Sequence, residues 1–220
     1  MNEKLETMRS LGFGPELEYE QISRQRMADA IQSVVGGRQV HGGYAHNAIA
    51  VVAPDGREWK AMSDGSLRDG AEFVTPILHW DDMDTLQEVV RAIRKAGAKT
   101  PETTSQHVHI GAADWTPQQI TNMVRIFYKQ ENLILKSAGT LQRRLARYTR
   151  PTDRAFVSRI LDRKPKTMEE LNEAWFGYYR PTFPHYTEER YYVEYGIMLS
   201  SWPNERVFKN DLPFQSGHTK

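Results

Sequence analysis

The sequence has no cysteine. Disulfides, thiolate nucleophiles and sulfur-held metals are excluded, so any metal must be bound by Asp, Glu, His or carbonyl oxygen. A surplus of either charge is also missing. Lys and Arg total 29 against 28 Asp and Glu, a formal net charge of +1, which gives no warrant for nucleic-acid or membrane-surface binding. No apolar run is long enough to span a bilayer, and the opening MNEKLETMRS lacks the apolar core of a signal peptide. Together these absences lead to the expectation of a soluble cytoplasmic protein. The phosphate loop GxxxxGK[ST], the dinucleotide fingerprint GxGxxG and the nucleophile elbow GxSxG are absent as well. A P-loop site, a Rossmann site and an α/β-hydrolase site are therefore not expected.

What is present alternates. In GFGPELEYEQ, Leu17 and Tyr19 alternate with Glu16, Glu18 and Glu20, the pattern of a strand opened by glycines. Ser23 caps a predicted helix with an apolar stripe of Met27, Ala30, Ile31 and Val34, stopped by Gly36 and Gly37. NAIAVVAPDGREWKAMSDGS reads as a hairpin turning at Asp55–Gly56, with a second turn at Asp64–Gly65. AEFVTPILHW reads as a third strand bent at Pro76, and DDMDTLQEVVRAIRKAGA as a helix ended by Gly97. SQHVHIGAA is a further predicted strand. A long helix follows, with Thr116 as N-cap, Pro117 at its first position and Gln119 closing a capping box. Two shorter helices are expected near 152–162 and 167–177, the second opened by Thr167 and Glu170. Beyond them ERYYVEYGIMLSSW has strand-like composition. This order predicts an α+β fold, with helices on one face of a mostly antiparallel sheet. Residues 1–11 read as a flexible lead-in and 12–220 as a single domain with a helical insertion at about 116–177.

Side chains two apart on a strand share a face. Glu16, Glu18 and Glu20 therefore line one face, either a wet outer surface or a site whose repulsion a hard cation such as Mg²⁺ neutralises. His107 and His109 share a face in the same way, and Glu72 alternates with Phe73. If these strands are neighbours, their polar rows form one surface opposite an apolar one, the floor of an active site rather than an ordinary exterior. Two histidines and a glutamate are a known zinc set, whereas the excess of carboxylates favours a harder ion and a phosphate-bearing substrate. A transferring phosphoryl group also calls for cationic donors, and Arg68, Arg190 and Arg206 are candidates.

The ordered motifs FGPELEYE, WKAMSDGSL, EFVTPIL, HVHIGA and KPKTMEELNEAW…HYTEERYY, spanning about residues 12–192, resemble the amidoligase family of carboxylate–amine ligases, relatives of glutamine synthetase and glutamate–cysteine ligase. The resemblance implies a glutamine-synthetase-like sheet, curved and mostly antiparallel, with helices on its convex face and ATP and Mg²⁺ on its concave face. ATP would phosphorylate a substrate carboxylate, and an amine would displace the phosphate to leave an amide. Glu16, Glu18, Glu72 and His107 become the implied metal ligands. His107, His109 and Arg190 become the implied nucleotide contacts. Glu18, Asp64, Arg190 and Arg206 become the implied catalytic residues, and Glu131 matches a glutamate of the following helix. The implied partners are small-molecule or peptide carboxylates and amines, with neither nucleic acid nor membrane, and the oligomeric state is open. Three places depart from the family pattern. Pro15 replaces an aliphatic residue and removes a backbone donor, which predicts an edge or a bulge. Ser105–Gln106 replaces Gly–Ile. Glu205 and Arg206 are adjacent rather than two apart, so the C-terminus from about residue 193 reads as atypical: either it is truncated or altered, or the chain is a diverged member. Two other readings stand beside the ligase: a catalytically weakened homologue acting as a nucleotide- or peptide-binding module, and a metal-dependent hydrolase using His107, His109 and a glutamate.

Overall fold

The computed structural model describes residues 3–42, 47–112, 115–137, 152, 154–176, 198–202 and 205–210. The fold is α+β. The described residues through Ile110 form one compact unit and those from Gly111 onward a second.

The first unit is built on six strands: β1 Phe13–Glu20, β2 Arg38–His41, β3 Ile49–Val52, β4 Glu58–Met62, β5 Gly70–Val74 and β6 Gln106–Gly111. They run in the order β2-β3-β4-β5-β1-β6, each antiparallel to its neighbour. β1 is thus flanked by the Glu72 strand on one side and the histidine strand on the other. Alternation sends Tyr19, Trp59, Ala61, Ala71 and Phe73 into a core, where the Trp59 and Phe73 rings stack at 6.0 Å. Helix α2, Arg24–Val35, lies against β2 to β5, and α3, Met83–Lys95, packs on α2. Each presents a helical-period stripe to that core: Met27, Ala30 and Ile31 from α2, Leu86, Val89 and Ile93 from α3. The Ser23 hydroxyl accepts the Arg26 N–H at 3.2 Å, as its N-cap position predicts. Two close approaches demand glycine. A Cβ on Gly37, which sits at φ 76°, would lie 1.9 Å from the Val52 carbonyl oxygen. One on Gly70 would lie 2.1 Å from that of Tyr19.

Three details differ from expectation. The lead-in contains a helix, α1 Glu3–Arg9, none of whose residues is buried. Glutamates in its first turn and Arg9 in its last suit the helix dipole, a signal that a count of polar residues overlooks. Strand β2 was not foreseen because RQVH is short and polar, and Gln39 there bonds to Gln25, Asp29 and Gln32 of α2 instead of filling the core. The strand expected to bend at Pro76 ends at Val74 instead. Glu16 pairs with Val74 while Phe13 bridges to Leu78, one residue out of regular register. This bulge takes up Pro76 and also accommodates Pro15, whose missing donor faces it and whose carbonyl accepts the Thr75 N–H at 3.2 Å.

In the second unit, helices α4 Pro117–Ser137, α5 Arg154–Arg163 and α6 Met168–Phe176 enclose Ile120, Val124, Phe156, Ile160, Leu171 and Trp175. The capping box expected at α4 is present, and α6 opens on one at Thr167 and Glu170. Thr116 and Gln119 exchange bonds at α4, and Thr167 and Glu170 do so at α6. Strands β7 Met198–Trp202 and β8 Glu205–Asn210 pair antiparallel. Glu205 and Arg206 are consecutive on β8, opposite Trp202 and Ser201. Among the described residues, no helix is long and apolar enough to cross a membrane.

Candidate metal and phosphate site

The face of the sheet turned away from α2 gathers the polar residues. Two cross-strand rows can be read from the register. One runs Lys60, Val74, Glu16, His107, and the next runs Met62, Glu72, Glu18. The second row extends to Ser105, whose carbonyl accepts the Glu18 N–H at 3.1 Å. Asp64 follows the end of β4. Its Oδ1 accepts bonds from both the backbone N–H and the hydroxyl of Ser66, the latter at 2.5 Å, which closes the Asp-Gly-Ser turn.

Glu18, Asp64 and Glu72 each bring a carboxylate oxygen within 4.8 Å of the other two. Glu18 is 6% exposed. Burial raises its pKa, but the His107 imidazole and the Ser105 donors outweigh that and hold it below the usual carboxylate value. Glu72 behaves oppositely. Burial, reinforced by Glu16, Asp64 and Glu18 against the counter-pull of His107, pushes it up to about 7. Beside this cluster, Glu16 lies between the histidines. Its Oε1 is 2.9 Å from His109 Nε2 and its Oε2 is 4.0 Å from His107 Nδ1. The His109 approach is close without being an aligned hydrogen bond, since Nε2 has no hydrogen-bond partner among the described residues. His107 Nε2 lies 3.7 Å from Glu18 Oε1.

The family model described as "putative amidoligase enzyme" matches residues 9–194. This chain belongs to that amidoligase family. No curated protein and no solved structure gives a significant match.

Within this amidoligase-family chain, the residues singled out from the sequence fall into three groups. Glu16, Glu18, Glu72, His107 and His109 share one face, and Asp64 joins Glu18 and Glu72 there. Arg68 is exposed on the turn after Asp64. Glu131, in the second unit, accepts the Thr152 N–H at 2.7 Å and its hydroxyl at 2.6 Å, tying α4 to the approach to α5. Arg190 lies outside the described residues, and Arg206 is described only as a backbone position of β8.

Two residues of the site were missed. Lys60 is the one lysine or arginine on this face of β1, β4, β5 and β6. Its outward position is legible in EWKAM, because Trp59 and Ala61 point inward. Ser105, 5% exposed, bonds Glu18 directly. From sequence it looked only like a departure from the family pattern.

An all-oxygen donor set, with a carboxyl that burial and its carboxylate neighbours keep from ionising easily, suits a hard divalent cation. Mg²⁺ takes oxygen ligands at about 2.0–2.1 Å and usually retains several waters, so three carboxylates at this spacing fit it with adjustment of side-chain torsions. The cluster contains no histidine, which separates it from the histidine-rich zinc sets of hydrolases.

Proposed function

We propose that this protein is an ATP- and Mg²⁺-dependent carboxylate–amine ligase that forms an amide through an acyl phosphate, on a sheet of the glutamine-synthetase kind. The observation that carries the reading is the Glu18–Asp64–Glu72 cluster on the non-core face of the sheet, in a chain of the amidoligase family. Glu18, Asp64 and Glu72 hold the metal, which when bound neutralises charge on the phosphate oxygens. Lys60, at the far end of the Glu16 row and paired with Glu58 Oε2 at 3.2 Å, would offer its ammonium to a phosphate or carboxylate oxygen as well. His107 and His109 line the same face as polar contacts for nucleotide or substrate. Arg190 and Arg206 remain the proposed cationic donors from the rest of the chain.

In the reaction, a substrate carboxylate oxygen attacks the γ-phosphorus of ATP, and ADP leaves. The amine nitrogen then attacks the acyl carbon, the C–O bond to phosphate breaks, and the amine proton passes to a nearby base. Glu16, adjacent to both histidines, would receive it. The test is phosphate release from Mg²⁺·ATP against a panel of amines and carboxylates. Release that requires one partner of each kind supports the ligase. Nucleotide binding without release under every pairing supports the binding-module reading instead. Stoichiometric tight Zn²⁺ with no ATP binding would support the hydrolase.

A further inference from the structure

Ser105 ends the loop that leads into β6, and both of its donors go to one carboxylate. Its backbone N–H donates to Glu18 Oε2 at 2.7 Å and its hydroxyl donates to Glu18 Oε1 at 2.5 Å. The main chains are joined as well, Glu18 N–H to Ser105 carbonyl at 3.1 Å. The regular pairing of β6 with β1 reaches Gln106 opposite Leu17. One residue earlier the ladder stops, and the released N–H of Ser105 turns to the Glu18 side chain. A bidentate grip of this kind fixes both the position and the plane of a carboxylate.

The hydroxyl makes a third contact, 3.2 Å from His107 Nε2. A serine hydroxyl carries one proton. That proton goes to the Glu18 carboxylate, so the contact with His107 is filled by the imidazole Nε2–H donating to Oγ. Ser105 thereby orients two side chains of the site at once, the most buried of the clustered carboxylates and the neighbouring imidazole.

We propose that Ser105 is the positioning residue of the metal site, holding the Glu18 carboxylate at the angle from which it ligates a divalent cation together with Asp64 and Glu72. This rests on the metal reading above and adds to it a residue that touches neither metal nor substrate. Each Glu18 oxygen has a second lone pair beyond the one Ser105 occupies, so the clamp leaves room for the ion. Groups that hydrogen-bond metal ligands from behind typically contribute about 10- to 100-fold in metal affinity.

The experiment is a titration of the full chain with Mn²⁺, a spectroscopic stand-in for Mg²⁺, followed by electron paramagnetic resonance of the free ion. Wild type, Ser105→Ala and Ser105→Thr are compared, with melting temperatures in EDTA as a control. Ser105→Ala keeps the backbone donor and loses only the hydroxyl. The expected result is a Kd for Mn²⁺ raised about 10-fold or more in Ser105→Ala and restored toward wild type in Ser105→Thr. Loss of the two hydrogen bonds this hydroxyl makes should lower the EDTA melting temperature by about 4–8 °C. Equal affinity in wild type and Ser105→Ala overturns the clamp and leaves the metal site standing. A wild type that takes up no Mn²⁺ overturns the metal reading, and the clamp's role falls with it. If Ser105→Thr melts too low to load, Ser105→Gly tests the same hydroxyl, and wild-type affinity there is equally fatal to the clamp.

Discussion

The two faces of the six-stranded sheet are made by the same strands and differ in almost everything else. On one face Tyr19, Trp59, Ala61, Ala71 and Phe73 meet α2, all at most 3% exposed. On the other, single-residue steps away, stand Glu16, Glu18, Lys60, Glu72, His107 and His109. The first face lowers the free energy of the fold by removing apolar surface from water. The second raises it. It buries Glu72 beside other carboxylates, which pushes it up to about 7, and it needs His107 and Ser105 to hold Glu18 below the usual carboxylate value. Strain of this kind persists where function requires it. The comparison teaches that stability and chemistry are separated here by side-chain parity, not by distance along the chain.

That separation can be broken in graded steps. The largest effect is expected on the core face. Phe73→Ala removes a fully buried ring stacked on Trp59 and should cost about 3–5 kcal/mol, read as a lower denaturation midpoint. Its immediate neighbour gives the opposite result. Glu72→Gln should leave a folded protein that no longer binds Mg²⁺ measurably by calorimetry, and a melting temperature as low as that of Phe73→Ala would contradict the division between faces. Lys60→Met comes next. It should raise the KM for ATP or for the carboxylate substrate about 10-fold or more, in line with loss of a charge-assisted hydrogen bond, and leave the melting temperature nearly unchanged. A KM unchanged for both substrates would remove Lys60 from the site.

The smallest effect concerns pH in the metal-free protein. Glu72 titrates at about 7 in the folded chain against an ordinary 4.5. Between those values the folded state binds more protons than the unfolded one, so this group's contribution to stability is greatest below pH 4.5 and is lost as pH rises through 7. Glu72→Gln should therefore melt higher than wild type in EDTA at pH 8 and show no such advantage at pH 4.5. The same proton competes with the metal, so wild-type Mg²⁺ affinity should weaken as pH falls below about 7.

Much of the sheet was legible because strand parity is written locally. Glu16, Glu18, Glu72, His107 and His109 could each be assigned an outward face from their own strand. Their gathering required the order β5-β1-β6, which no single strand encodes and which the motif set only implied. Asp64 could be marked on a turn, but its approach to Glu18 and Glu72 depends on how the Asp-Gly-Ser turn folds over the end of β4. Ser105 was invisible as a functional residue because its partner lies 87 positions away in sequence. The short polar strand β2 carried too few residues for a period to emerge.

The measurement that bears most directly on the account is Mn²⁺ binding by wild type and Glu18→Gln, each with its melting temperature in EDTA. The account predicts one ion bound per wild-type chain, affinity reduced at least about 100-fold in Glu18→Gln, and closely similar melting temperatures, since the loss falls on a ligand rather than on the core. Equal Mn²⁺ affinity in the two proteins would contradict it, and Glu18 would then be no metal ligand.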